Sequence, residues 1–180
     1  MPKPLYQHLT APQFVEQLDA RSPSELRAMR AECEQVEAAI SFARRALHGR
    51  LDIVHAELRR RVEGAANPRL DDLVAQLPTI LAETQPTGVT GSQRVLLTPE
   101  PSVVQEELMG VVDAVAGPEA LTHLSRLDDD ALGATVGELS GLEQELSTAR
   151  RQLHHQIDVL QAELTARYER GELSVETLLA

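Results

Sequence analysis

Ten polar residues with the right types and spacing for ligand chemistry fall into two sets of five. Glu37, Ser41, Arg44, His48 and Asp52 stand at offsets 0, 4, 7, 11 and 15, and Glu143, Ser147, Arg150, His154 and Asp158 repeat the same types at the same offsets. At about 100° per residue, these offsets span only ~80° of a helix circumference, so each set is one polar stripe on one helical face. Guanidinium groups select anions with forked acceptors, such as phosphate or the O6/N7 edge of guanine. The carboxylates select donors such as guanine N1–H and N2–H₂, while Ser and His can bridge to phosphate or sugar. Two such sets, flanked by Arg45 and Arg151, suit a guanine nucleotide, and the duplication suits a dimeric one. A solvated flank of ordinary i,i+4 pairs would explain neither the mid-helix serines nor the repetition of five types in order.

The stripes sit inside a longer internal repeat. A shift of 106 aligns Cys33–Val62 with Leu139–Tyr168, and 12 of those 30 pairs are identical. Helices rich in Ala, Leu, Glu and Arg would match by chance at about two or three positions. Both segments also carry an apolar seam beside the polar stripe. Val36, Ile40, Ala43, Leu47, Leu51, Val54, Leu58 and Val62 recur by threes and fours, as do Leu132, Val136, Leu139, Leu142, Leu146, Ala149, Leu153, Ile157, Leu160, Leu164 and Tyr168. Ser22-Pro23-Ser24-Glu25 reads as a capped helix start, and Asp128-Asp129-Asp130 suits the cap and first turn of the second helix. Gly133, Gly137 and Gly141 weaken the pattern over its first turns, and Gly171 ends it.

The 180 residues thus divide into an arm (1–22), a first long helix (23–64), a linker (65–127), a second long helix (128–169) and a tail (170–180). Short helices are expected near Gln13–Ala20, Arg69–Leu77 and Val103–Ala116, with a loose Thr84–Arg94. The fold class is all-α: a long antiparallel helical hairpin of coiled-coil type with shorter accessory helices. Composition agrees, since 42% of residues are hydrophobic but only 2% aromatic, which leaves Leu, Val, Ile and Ala to fill helix-on-helix contacts. An antiparallel register with residue numbers summing to about 195 would place Glu37 by Asp158, Ser41 by His154, His48 by Ser147 and Glu143 by Asp52. Arg44 and Arg150 would then meet at the centre.

Charge and single residues narrow the function classes. A net charge of −11 argues against direct nucleic-acid or anionic-membrane binding and favours a basic protein partner. The lone Cys33 can form neither an internal disulfide nor a thiolate cage. No leader-like or membrane-spanning run is evident, so a cytoplasmic location is expected. The His48/Asp52 and His154/Asp158 pairs resemble helical metal ligands, but an arginine in the same stripe would repel a cation, and no metal is expected. Neither a phosphate loop nor a nucleophile elbow occurs, so an enzyme is not expected.

The paired stripes resemble the signature of the RsiG family, cyclic-di-GMP-dependent anti-sigma factors of actinobacteria, whose two long helices each carry Glu-x3-Ser-x2-Arg-x3-Gln-x3-Asp. Glu37, Ser41, Arg44 and Asp52 match it, as do Glu143, Ser147, Arg150 and Asp158. His48 and His154 stand where the family has Gln. The resemblance implies an antiparallel hairpin that holds a cyclic di-GMP dimer between its motifs. It also implies that the loaded form silences a WhiG-like sporulation sigma factor, here as a monomeric hairpin in a 1:1 complex. The histidines add an expectation of their own: ligand affinity that varies with pH between about 5.5 and 7.5. The competing reading is a ligand-independent coiled-coil scaffold or adaptor.

Overall fold

The computed structural model describes residues 4–62 and 102–172. Among them, every regular element is helical. Helix α1 spans Pro23–Val62, α2 Val103–Ala116, α3 the single turn Pro118–Thr122, and α4 Asp129–Glu169. The expected Arg69–Leu77 helix and the Thr84–Arg94 stretch lie outside the described residues. The long helices, of 40 and 41 residues, are rods of about 60 Å each. They run antiparallel: Arg27 donates to the Tyr168 hydroxyl at one end (2.9 Å), and Arg61 pairs with Asp129 at the other (2.8 Å).

Local chemistry fixes where the rods begin and end. The Ser22 hydroxyl accepts from the Glu25 N–H (3.2 Å) and the Glu25 carboxylate accepts from the Ser22 N–H (2.7 Å), a reciprocal capping box that also holds the Glu25 carboxyl below its ordinary range. Asp128 caps α4 by accepting from the Ala131 N–H at 2.7 Å. Gly133, Gly137 and Gly141 do not interrupt the helix. Its end is a Schellman turn, with Gly171 at φ 73° and the Glu172 N–H reaching back to the Arg167 carbonyl.

The seam between the rods repeats every seven residues. Leu26, Cys33, Ile40, Leu47 and Val54 from α1 are fully buried, as are Leu132, Leu139, Leu153 and Leu160 from α4, with Leu146 nearly so. This heptad spacing is the geometry of knobs-into-holes packing. Val36, Ala43, Ala149 and Leu164 complete the buried seam, while Leu51, Leu58, Val136, Leu142 and Ile157 are partly buried beside it. Val62, at the end of α1, is 88% exposed and takes no part. Burial pushes the Cys33 thiol up to about 11, with Glu32 and Glu34 adding to the effect, so it stays an unreactive thiol.

Accessory segments cover the sides of the hairpin. α2 buries Leu108, Val112 and Ala116 against it. The segment before α1 is not the expected α-helix near Gln13–Ala20 but two 3₁₀ turns, Pro12–Val15 and Leu18–Ala20, with Tyr6 and Leu9 buried. Pro12, without an N–H, opens the first turn, and Gln17 at φ 55° bends the chain before the second, so no continuous i→i+4 ladder can form.

The internal repeat continues into these segments. The same shift of 106 relates Pro12 to Pro118, Leu18 to Leu124 and the cap Ser22 to the cap Asp128. Arg61 pairs with Glu57 and donates to the Leu124 carbonyl, in the turn before α4. Its equivalent Arg167 pairs with Glu163 and donates to the Leu18 and Arg21 carbonyls (2.6 and 2.7 Å), in the turn before α1. Each long helix therefore fastens the segment that leads into the other. Arg50 and its equivalent Gln156 do the same midway: Arg50 bonds Asp113 of α2, and Gln156 donates to the Ala11 carbonyl.

Candidate functional site

The two polar stripes meet along the hairpin, each one residue on from its heptad seam and so about 100° around the helix from it. Glu143 of α4 gathers three donors: Arg44 (Nη2 at 2.7 Å, Nε at 3.2 Å), Ser147 (2.8 Å) and His48 (3.3 Å). Glu37 of α1 gathers the equivalent set: Arg150 Nε and the Ser41 hydroxyl, both at 2.7 Å, with His154 Nε2 at 3.3 Å. Arg150 Nε also reaches the Ser41 hydroxyl at 2.9 Å. Each cluster joins a Glu and Ser from one helix to an Arg and His from the other. The i,i+4 spacing puts Ser one turn beyond Glu on the same face, and the antiparallel pairing brings in the opposite Arg and His.

The carboxylates respond to these donors. The Arg44 guanidinium, then the Ser147 hydroxyl and His48, hold Glu143 down at about 2 against a partial burial that opposes them. For Glu37, burial is the largest influence and acts upward. The Ser41 and Arg150 hydrogen bonds together outweigh it and leave the carboxyl below its ordinary range. Both groups are thus carboxylates at neutral pH. Arg44 and Glu143 are each about one-fifth exposed, so the ion pairs are accessible from the groove and still shielded enough to be directional.

The observed partners differ from the expected register. Glu37 meets Arg150 and His154 rather than Asp158, and Glu143 meets Arg44 and His48 rather than Asp52. The two central arginines both line the groove and each take the carboxylate of the other helix. The reason is electrostatic: two facing guanidiniums or two facing carboxylates in a half-buried groove repel, and long arginine side chains can reach a turn along the rod to find the opposite charge. Asp52 and Asp158 are exposed and, among the described residues, make no hydrogen bond or ion pair. Eight of the ten stripe residues are therefore gathered into the two clusters, and the two aspartates stand outside them.

The groove beside these clusters has a volume of about 460 Å³ and is lined by Arg44, Glu143, Gln144, Ser147, Thr148, Arg150 and Arg151. Such a surface offers forked donors to an anion and carboxylates to N–H groups. Arg150 engages Glu37 and Ser41 through Nε alone, which leaves its Nη groups for an incoming acceptor, while Arg44 engages Glu143 through Nε and Nη2 and keeps Nη1; a full turn of either guanidinium to a ligand would also free Glu143 or Glu37 to accept from that ligand. A second cavity, of about 420 Å³, lies where Thr10, Pro12 and Val15 cover α4 at Thr148, Arg151, Gln152, His155 and Gln156. Among the described residues, no group of three or more His, Cys, Asp and Glu side chains could hold a metal ion, and no helix is long and apolar enough to cross a membrane.

Spacing arguments did not assign the fastening role of Arg50, Arg61, Gln156 and Arg167. The signal was present for two of them, since Glu57/Glu163 and Arg61/Arg167 are among the 12 identical pairs. Arg61, Gln156 and Arg167 donate to backbone carbonyls of distant turns, which leave no mark in a side-chain pattern, while Arg50 takes the Asp113 carboxylate of α2.

No curated protein matches the sequence significantly. The model of the RsiG-like family matches residues 12–81 and 118–180. Those two segments begin at Pro12 and Pro118, the equivalent turns that open each half of the repeat. They take in all ten stripe residues and both rods, so the duplicated hairpin is what the match covers. The chain belongs to the RsiG-like family, a regulatory rather than catalytic one that points to an anti-sigma factor.

Proposed function

We propose that the chain is an anti-sigma factor gated by cyclic di-GMP. A dimer of the nucleotide binds between the two Glu-Ser-Arg-His-Asp motifs, and the loaded hairpin sequesters a WhiG-like sporulation sigma factor in the cytoplasm as a 1:1 complex. The observation that carries this reading is the pair of equivalent clusters, Arg44–Glu143 and Arg150–Glu37, beside a groove that Arg44, Glu143, Ser147 and Arg150 line. A ligand with its own two-fold symmetry can meet both clusters with the same contacts. Arg44 and Arg150 turn to phosphate or to the guanine O6/N7 edge, Glu37 and Glu143 accept from guanine N1–H and N2–H₂, and Ser41 and Ser147 follow as bridging hydroxyls. Asp52 and Asp158, unengaged at the two ends of the groove, are further acceptors for the outer edges of the same ligand.

Gating follows from the exchange. Without nucleotide the arginine–carboxylate pairs neutralise each other across the groove. With nucleotide, the groove carries the ligand's outward face in their place, and the partner reads that face together with the helices. The second reading, a ligand-independent scaffold, draws on the same pairs, since they also staple α1 to α4. Gel filtration of the chain with a WhiG-type sigma factor, with and without cyclic di-GMP, separates the two. Co-elution only with nucleotide, lost in the Arg44→Ala/Arg150→Ala variant, supports the gated clamp. Co-elution regardless of nucleotide in both proteins supports the scaffold.

A further inference from the structure

The cavity of about 420 Å³ between α4 and the segment before α1 is a second concave surface beside the groove. Thr148, Arg151, Gln152 and His155 supply one wall; their spacing of i, i+3, i+4 and i+7 puts them on one side of α4. Thr10, Pro12 and Val15 supply the other. The internal repeat does not copy this wall. A shift of 106 places Phe42, Arg45, Ala46 and Gly49 at the positions of Thr148, Arg151, Gln152 and His155. Only the arginine is common to both halves. The other three positions carry hydrogen-bonding side chains on α4 and none on α1. Hydrogen-bonding capacity is thus concentrated on the half that the Thr10–Val15 segment overhangs.

The charge of the cavity is one-sided as well. No Asp or Glu lines it, in a chain with 28 of them and a net charge of −11. Arg44, Arg50, Arg150 and Arg167 each hold a carboxylate. Arg151 holds none among the described residues, and its hydrogen bond runs to the Thr148 hydroxyl at 3.2 Å. Glu145 and Asp158, about a turn beyond either end of the wall, pair with neither Arg151 nor His155. An arginine in that state takes an anion without first giving up a carboxylate. Gln152 and His155 are exposed and, among the described residues, make no hydrogen bond or ion pair. Gln156, at the inner edge, is only 3% exposed; it donates to the Ala11 carbonyl at 3.1 Å and leaves its Oε1 without a partner. A buried acceptor left over in this way calls for a donor.

We propose that this cavity is a second ligand site of the hairpin, taking a phosphate ester that carries hydroxyl groups. Arg151, with the Gln152 and His155 N–H groups, meets the phosphate, Pro12 and Val15 pack against the carbon skeleton, and a ligand hydroxyl donates to Gln156 Oε1. Arg151 and Thr148 line the groove too, so the phosphate can come from two sources. One is a separate sugar or nucleoside phosphate. The other is the sugar–phosphate backbone of a nucleotide seated in the groove, and that source rests on the function proposed above.

Gln152→Ala/His155→Ala tests the cavity in the full chain, because both side chains line it and neither lines the groove. Both positions are exposed and alanine favours a helix, so the variant keeps the fold. The probes are ribose 5-phosphate, which has a phosphate and hydroxyls but no guanine, and cyclic di-GMP. Each is followed by the backbone amide shifts of Thr10 and Val15 in nitrogen-15 NMR spectra. Saturable shifts with ribose 5-phosphate, weakened at least about fivefold in the variant, support a separate ligand. Shifts with cyclic di-GMP alone, weakened to the same degree, support the nucleotide's own backbone. Shifts with neither probe, or equal affinity in the variant, overturn the proposal whatever the groove binds. No binding of cyclic di-GMP anywhere, while ribose 5-phosphate still fills the cavity, overturns the gated clamp and leaves this site standing.

Discussion

Replacing Arg44 by Met separates the structural work of the motif arginines from their work on a ligand. The substitution keeps most of the aliphatic stem and removes the guanidinium. In the free chain it breaks the contact to Glu143 at 2.7 and 3.2 Å, but Glu143 keeps Ser147 and His48 as donors and stays partly hydrated, so no buried charge is stranded. The expected loss is about 1 kcal/mol, at the upper end for exposed pairs and below a fully buried one. Nucleotide binding is affected more. A charge-assisted hydrogen bond is worth about 1.5–3 kcal/mol, from which the cost of first breaking the Glu143 pair is subtracted. That leaves roughly 0.5–2 kcal/mol per arginine, or about 2- to 30-fold in Kd for Arg44→Met. The equivalent Arg150→Met should match it, and the double variant should approach the product. Urea unfolding followed by far-UV circular dichroism gives the first quantity, and calorimetric titration with cyclic di-GMP gives the second. A loss of more than about 3 kcal/mol in the free chain, or an unchanged Kd, would refute the reasoning: the arginines would then be structural staples.

Further outcomes follow from other contacts. Arg167→Met removes donors to Glu163 and to the Leu18 and Arg21 carbonyls, all within 2.7 Å, and should cost about 2–4 kcal/mol while speeding amide exchange over residues 4–21; unchanged exchange there would argue that Tyr6 and Leu9 hold the segment alone. Glu143, held at about 2 in the folded chain against an ordinary 4.5, contributes stability that is present above pH 4.5 and lost as pH falls toward 2. Glu57, held at about 2 mainly by Arg60 against some burial, with Arg61 adding, titrates in the same window, so the informative quantity is the reduced acid slope of Glu143→Gln relative to wild type; an identical slope would deny Glu143 its donors. Changing His48 and His154 to Gln, the residue of the family motif, should preserve cyclic di-GMP binding measured by calorimetry, whereas loss of binding would show that the imidazoles make contacts an amide cannot replace.

Much of the hairpin was readable because its determinants are local or periodic. The Ser22–Glu25 box and the Asp128 cap each involve residues three apart, and the seam follows from side-chain spacing. The two stripes were readable as stripes for the same reason. Which residues would face each other was not, because the long segment between the rods leaves the register free and several antiparallel offsets satisfy a heptad seam equally well. Charge then decided it: the arginines went to the carboxylates of the opposite helix, a choice invisible to spacing alone. The segment before α1 was harder still. It is held by Arg167 and Gln156 through backbone carbonyls more than 140 residues away, and such acceptors are the same at every position in a chain.

The central claim is that one chain takes up two cyclic di-GMP molecules between its paired motifs. Calorimetric titration of the purified chain with cyclic di-GMP, repeated in the presence of a WhiG-type sigma factor, addresses it most directly. The account predicts two nucleotides per chain, tighter binding when the sigma factor is present, and loss of the heat signal in Arg44→Ala/Arg150→Ala with helicity intact. No heat in either titration, or an unchanged isotherm in the double variant, would contradict it.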